Sequence, residues 1–351
     1  MLENLACSFE QSSSPSSSPS SSDSTDTTCL SSNNNVSTVD SIKDNNNLLN
    51  HHNHHHHHHL LTKCTSLTIR EWQITIKEWK VPKLYKITDV PEHLRFNPFV
   101  TNGYRFYKLS FWQSIYSLFY LHNETLNILT HGAPFIYFLL FMPRHIPWDL
   151  IDYHFLAYLH ITGCVAPWLG SCVYHTFMNH RSGVDLYQKL LKWDVIGIWI
   201  TQSLGASTTI YTSLILYPFW LQFIFIFLYS LIAIRALQHT LLASGVWKRR
   251  LGFAILVGMR VLAFILRLNA IEIGQASPLI HTIMQEIWPI IGALISAARI
   301  PERWYPGYFD LALNSHNLLH IFAVIGAIHM HLATCSDLIW LSNISKLHAH
   351  N

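Results

Sequence analysis

Polar and apolar positions are segregated along this 351-residue chain rather than interleaved. Residues 1–62 are almost wholly polar, with a Ser/Pro tract at 12–22, Asn runs at 33–35 and 45–47, and histidines at 51–52 and 54–59. Such sequence cannot bury enough apolar surface to offset chain entropy, so it is read as a disordered, low-complexity region. Its histidine run is taken as a homopolymer tract rather than a metal store. Residues 63–124 form a juxtamembrane segment that is basic and rich in aromatics, with Trp72, Lys77, Trp79, Lys80, Lys83, Lys86, Arg95 and Arg105 interrupted by Pro82, Pro91 and Pro98. That charge suits an anionic membrane face. Within it, residues 111–121 (FWQSIYSLFYL) predict an amphipathic interfacial helix. Seven apolar runs follow at 125–142, 153–175, 193–211, 214–234, 251–268, 278–298 and 315–340, each near the ~20 residues that a bilayer requires. A seven-span domain over 125–341 would leave a short tail at 342–351.

Composition agrees with this pattern. Half of the residues are hydrophobic, 12% are charged and mean hydropathy is +0.21, which excludes an ordinary soluble protein. The fold class is therefore all-α, a polytopic seven-transmembrane helix bundle. No apolar stretch at the N-terminus resembles a signal peptide, so the first span would serve as the insertion signal. Cys7, Cys29 and Cys64 lie in the polar part and Cys164, Cys172 and Cys335 in apolar runs, without a CxxC pair. Neither a disulfide scaffold nor a zinc ribbon is indicated.

The net charge of +3 gains meaning only when it is placed loop by loop, and no nucleic-acid partner is expected. One side of the predicted bundle receives the whole basic segment with Arg181, Lys189, Lys192, Arg235, Lys248, Arg249, Arg250, Arg299 and Arg303. The other side receives Arg144, Arg267 and Lys346. Positive loops face the cytoplasm, which puts the N-terminus there and the C-terminus on the exoplasmic side.

Candidate chemistry concentrates at the cytoplasmic ends of the spans. His316 and His320 lie four residues apart at the start of span seven, so on a helix they share a face and can reach one metal ion. His175 closes span two, with Ser171 one turn before it, and Asp194 opens span three. Polar ionisable groups at this depth are costly and mark function. Three neutral imidazoles with a fourth position open make an open zinc site. Asp194 and Ser171 are the candidate catalytic residues, placed to orient a water beside the metal or to take its proton. A zinc that merely staples the spans together fits the same residues. His122 and Glu124 are expected to cap or brace the bundle. Arg260 and Glu286 either pair across it or line a cavity. His160, His281, His329 and His331 are read as packing or interface residues.

Asn102-Gly103-Tyr104-Arg105, His122-Asn123-Glu124-Thr125 with Asn127 and Thr130-His131, Ser171 with His175, Asp194, and His316 with His320 together resemble the progestin and adipoQ receptor family. The likeness covers about 90–339, and Val90-Pro91-Glu92 with the HNE triplet is more similar to the membrane progestin receptor branch than to the adiponectin receptors. It implies seven spans, a zinc held by His175, His316 and His320, and signalling at the plasma membrane in response to a steroid or protein hormone. For some members it implies ceramide hydrolysis. The expected partners are a steroid or other lipid in the bundle, membrane lipids and a cytoplasmic signalling protein. Some progestin-branch members carry an eighth span, for which the residues after Trp340 are too few.

Overall fold

The computed structural model describes residues 82–243, 245–269 and 277–350. The readings made on residues 1–62, the histidine tract, Cys7, Cys29, Cys64, Trp72, Lys77, Trp79 and Lys80 lie outside these. Among the described residues all regular structure is helical, apart from two isolated bridges at Tyr85–Tyr104 and Leu109–His180.

Helix α1 (Phe111–Tyr116) falls on the predicted interfacial stretch. It begins where Ser110 and Gln113 cap each other: the Ser110 hydroxyl accepts from the Gln113 N–H at 3.3 Å and the Gln113 side-chain oxygen accepts from the Ser110 N–H at 2.8 Å. Phe111 in this helix and Phe119 and Leu121 just after it are exposed. The bundle follows as α2 (Thr125–Leu140), α3 (His154–Phe177), α4 (Gly183–Ile200), α5 (Ser207–Leu214), α6 (Phe219–Leu242), α7 (Val246–Asn269), α8 (Ser277–Ala298) and α9 (Ser315–His350). A π-turn at Thr201–Gly205 joins α4 to α5.

Five stretches are long and apolar enough to cross a membrane: His154–Phe177, Phe219–Leu242, Trp247–Leu268, Leu279–Ala298 and Ser315–Leu347. Thr125–Leu140 with Met142–Leu150 makes a sixth if its 46° bend lies within one span. The chain is thus an all-helical polytopic membrane protein. The third predicted run falls on α4, the π-turn and α5, and α4 begins earlier than expected, with Asp185, Lys189, Lys192 and Asp194 making it too charged for a simple span. At the other end α9 continues through the predicted tail to His350. No glycine or proline after Gly326 interrupts it.

Small residues let α3 approach α4 backbone to backbone, as they do between membrane helices generally. A Cβ added at Gly170 would meet the Trp193 carbonyl oxygen at 2.8 Å, and one at Gly197 would meet the Ala166 oxygen at 2.7 Å. Farther along, a Cβ at Gly163 would come within 2.3 Å of the Gly205 Cα. Two ion pairs tie the later helices. The Arg267 guanidinium donates to Asp337 at 2.7 and 3.0 Å, and Arg260 donates twice to Glu286 at 2.7 Å. Arg267 is therefore not the loop charge that the sequence reading made of it; it is 5% exposed and compensates an aspartate buried in α9.

The basic segment packs on the bundle. Val90, Leu94, Val100 and Tyr104 share a core with Tyr174, Met178 and Tyr187. Asp310 stitches this segment to the loop before α9, accepting from the Thr101 and Asn102 N–H groups at 2.7 and 2.9 Å. The turn that follows needs Gly103, whose φ is +85°.

The close α3–α4 approach yields a first prediction. Gly170→Leu forces the helices apart beside Asp194 and should lower stability by about 1–3 kcal/mol. Detergent-solubilised variant and parent protein, compared by thermal unfolding, should differ in Tm, and equal Tm values would contradict the packing described.

Candidate metal centre

The last turns of α3 and the first turns of α9 bring three imidazoles together. One ring nitrogen from each of His175, His316 and His320 lies within 4.8 Å of the others. The ring centroids are 5.3 Å apart for His175 and His316, 5.4 Å for His175 and His320, and 4.4 Å for His316 and His320.

The second nitrogens reveal what the rings are arranged to do. His175 Nδ1 lies 2.8 Å from a Glu124 carboxylate oxygen, which can only accept, so Nδ1 carries the proton and Nε2 keeps its lone pair. His320 Nδ1 lies 3.0 Å from the Thr130 hydroxyl. That hydroxyl spends its own proton on the Leu126 carbonyl at 2.6 Å and therefore accepts from the imidazole. Again Nε2 keeps its lone pair. Imidazoles oriented through their other nitrogen by a carboxylate or hydroxyl are the usual support of a metal ligand. The donor set fits a metal ion.

Glu124 does more than orient one ring. It sits at the start of α2, 2% exposed, and accepts from Asn123 at 3.0 Å and Asn127 at 2.7 Å as well as from His175. Burial raises its pKa, but His175, Asn127 and the nearby Arg105 charge outweigh this and hold it at about 2. Asn127 in turn accepts from the Asn317 side chain at 2.6 Å. Asn317 accepts from the Asn314 N–H, and Asn314 caps α9 by accepting from the His316 and Asn317 N–H groups at 3.1 and 3.2 Å. One polar chain thus runs from His175 to the cap of the helix that bears His316 and His320. Glu302 adds a second support, accepting from the Ser315 N–H at 2.7 Å and from the Asn97 side chain at 2.9 Å.

Arg105 fixes the other ligand-bearing helix. Fully buried, it donates to the carbonyls of His175 and Thr176 at 2.6 and 3.0 Å, satisfying acceptors that the end of α3 leaves open. His122 donates from Nε2 to the Ser117 carbonyl and accepts at Nδ1 from the Glu124 N–H, both at 3.0 Å. It braces the turn before α2 as a neutral ring, its pKa pushed down to about 3 by burial and the Arg105 charge.

His316 and His320 open on a cavity of about 250 Å³. Ser171 and Asp194 line it at the same end. Pro167, Ala323, Ala327 and Met330 give it apolar walls, and the Arg260–Glu286 pair closes one side, so these two residues both pair and line the cavity. All five sequence-predicted site residues therefore gather at one place, His175 behind the cavity and the other four on its surface. His131 was missed as a member of it. Its ring centroid lies 3.8 Å from that of His320 with the rings tilted by 40°, it is 8% exposed, and neither ring nitrogen has a hydrogen-bond partner. Glu124 was expected only to brace. The available signal was a polar stripe, Glu124, Asn127, Thr130 and His131, on the first turns of an otherwise apolar helix. His281 meets His329 at 2.9 Å and His160 meets His331 at 3.1 Å, away from this centre.

Known proteins resemble this chain over most of its length. The Haemolysin-III related family profile matches residues 119–331. Human progestin and adipoQ receptor family member 4 is 34% identical over 263 residues, 75% of this chain and 96% of that protein. Human membrane progestin receptor gamma is 29% identical over 281 residues (72% and 80%), and heptahelical transmembrane protein 1 of Arabidopsis thaliana 23% over 290 (76% and 85%). The chain belongs to the progestin and adipoQ receptor family of Haemolysin-III-related membrane proteins.

Proposed function

We propose that the protein is a seven-span, zinc-binding signalling receptor of the plasma membrane whose bundle takes the polar end of a progestin-like steroid or another lipid. The observation that carries this reading is the single cavity in which two metal-competent imidazoles, Asp194 and Ser171 share one end with apolar walls beyond them. Zinc suits three neutral imidazoles with a fourth position left for water or a ligand oxygen. The name of one relative, membrane progestin receptor gamma, supports the ligand class. Seven spans follow if bent α2 and the α4–π-turn–α5 stretch each cross once. With Arg267 paired inside the bundle, Arg144 and Lys346 alone remain as basic residues on the C-terminal side, which supports a cytoplasmic N-terminus and an exoplasmic C-terminus. A cytoplasmic partner would then read the end of the bundle that carries the metal centre.

A second reading is favoured by the Asp194–Ser171 pair beside the imidazoles: hydrolysis of a lipid amide such as ceramide. Zinc, when bound, would supply Lewis-acid polarisation of a carbonyl and a more acidic water. Asp194 would take the proton from the attacking water and return it to the departing amine. Ser171, on the same cavity wall, would orient that carboxylate. The apolar walls of α3 and α9 would hold the acyl chain and exclude bulk water. A zinc that only joins α3 to α9 is the remaining alternative.

Four experiments test these proposals. In chelator competition on purified protein, Glu124→Gln should weaken zinc about 10–100-fold, as loss of an orienting carboxylate does elsewhere; unchanged affinity would remove Glu124 from the site. Ala327→Phe fills the cavity away from the imidazoles, so it should retain zinc and lose steroid or lipid binding, whereas Asp194→Asn should retain zinc and fold but lose ceramide hydrolysis. Ligand binding unaffected by the former sinks the receptor cavity, and hydrolysis unaffected by the latter sinks the amidase. Protease added to sealed inside-out vesicles should remove the N-terminal histidine tract and spare the C-terminal residues; the reverse pattern contradicts the orientation.

A further inference from the structure

The outer seam between α6 and α7 carries basic groups with no acid to meet them. Arg235 sits in an apolar span, seven residues before the α6 end at Leu242 and so roughly 10 Å inside it at ~1.5 Å per residue. Its side chain is exposed on the bundle surface and donates to the Gln238 side-chain oxygen at 3.1 Å. Neither helix contains an aspartate or glutamate, and among the described residues no carboxylate forms an ion pair with Arg235 or Lys248. Arg260 and Arg267 differ, since both are buried and each is matched by a carboxylate. A guanidinium facing lipid inside a span is costly unless an anion comes to it.

Two recesses join at this arginine. One is a groove of about 780 Å³ with Leu228, Leu231, Ile232, Leu251 and Ile255 along it. The other, of about 370 Å³, is lined by Gln238, Leu242, Ala243 and Lys248 nearer the helix ends, and Arg235 and His239 belong to both. Helical spacing explains the arrangement: positions 228, 231, 235, 239 and 242 share one face of α6, and 248, 251 and 255 share one face of α7. Gly252 lets the helices close beneath the seam, because a Cβ there would meet Thr240 Oγ1 and His239 Nδ1.

We propose that this seam binds an anionic phospholipid, its phosphate held by Arg235 and Lys248 with Gln238 and His239 beside them, and one acyl chain lying in the apolar groove. The bond to Gln238, one turn nearer the end of α6, directs the Arg235 guanidinium toward headgroup depth. Charge selects the lipid. Two uncompensated cations suit a headgroup of net negative charge, whereas phosphatidylcholine brings its own ammonium into the same recess. The seam lies at the same end of the bundle as the metal centre, where Arg250 at the start of α7 donates to Ser296 at the end of α8 at 3.1 Å. With that end in the cytoplasm, as proposed, the site draws on the leaflet richer in anionic lipid. The leaflet rests on that orientation, and the site itself does not.

Native mass spectrometry of the delipidated full-length protein tests this with phosphatidylserine and phosphatidylcholine of the same acyl chains. The parent protein should hold one phosphatidylserine roughly 10–30-fold more tightly than phosphatidylcholine, the effect of two basic residues near the membrane surface. Arg235→Ala/Lys248→Ala should lose that preference, while Arg235→Lys keeps most of it and Arg144→Ala/Lys346→Ala, at the opposite end, leaves it unchanged. Glycerophosphoserine, the soluble headgroup, should fail to displace the lipid because it lacks the chain that the groove takes. Zinc content measured on the same samples separates the two sites, since a lipid preference without zinc would fail the metal centre and leave this one standing. Absence of the preference in the parent protein, its survival in the double alanine variant, or displacement by glycerophosphoserine would each overturn the proposal.

Discussion

A carboxylate buried in the end of a helix bundle must be satisfied by donors, and the way Glu124 is satisfied determines where its surroundings sit. Its donors come from α3 through His175 and from α2 through Asn127, and Asn127 passes the constraint to α9 through Asn317. Removing one partner of such a buried charge typically costs about 3–5 kcal/mol, because the other is left unpaired. The three helices are therefore held in register at the point where the imidazoles converge. Arg105, donating to the carbonyls of His175 and Thr176, locks the same point from the juxtamembrane segment. That segment is part of the site's support.

The rest of the bundle is arranged around this layer. Glycines bring α3 and α4 into backbone contact, which sets Asp194 next to Ser171. Beyond it the walls turn apolar, and the polar groups that remain inside are paired, as with Arg260 and Glu286 or Arg267 and Asp337. A ligand entering the cavity meets one wet end and one greasy body, the division expected of a pocket for an amphipathic molecule.

Much of this was legible in the sequence because it follows from short-range geometry. The apolar runs announce helices, and the four-residue spacings of His316 with His320 and Ser171 with His175 place each pair on one face. Asp194 stood out as an acid opening an apolar run. What was not legible depends on long-range contact. No spacing rule links Glu124 to His175, and the pairing of Arg267 with Asp337 made a loop charge into a core residue. An aspartate alone in the apolar run of α9 was the available hint that it needed a basic partner. The π-turn at Thr201–Gly205 and the continuation of α9 to His350 likewise come from packing and the lack of a breaker rather than from hydropathy.

The central claim is an open metal site built from His175, His316 and His320. It is tested most directly by X-ray absorption at the zinc edge on purified protein in which the histidines at 51–52 and 54–59 are replaced by serine, so that they contribute no imidazole. The account predicts three imidazole nitrogens and one further light ligand about 2.0–2.1 Å from zinc. Loss of zinc from that protein, or a coordination shell without three imidazoles, would contradict it.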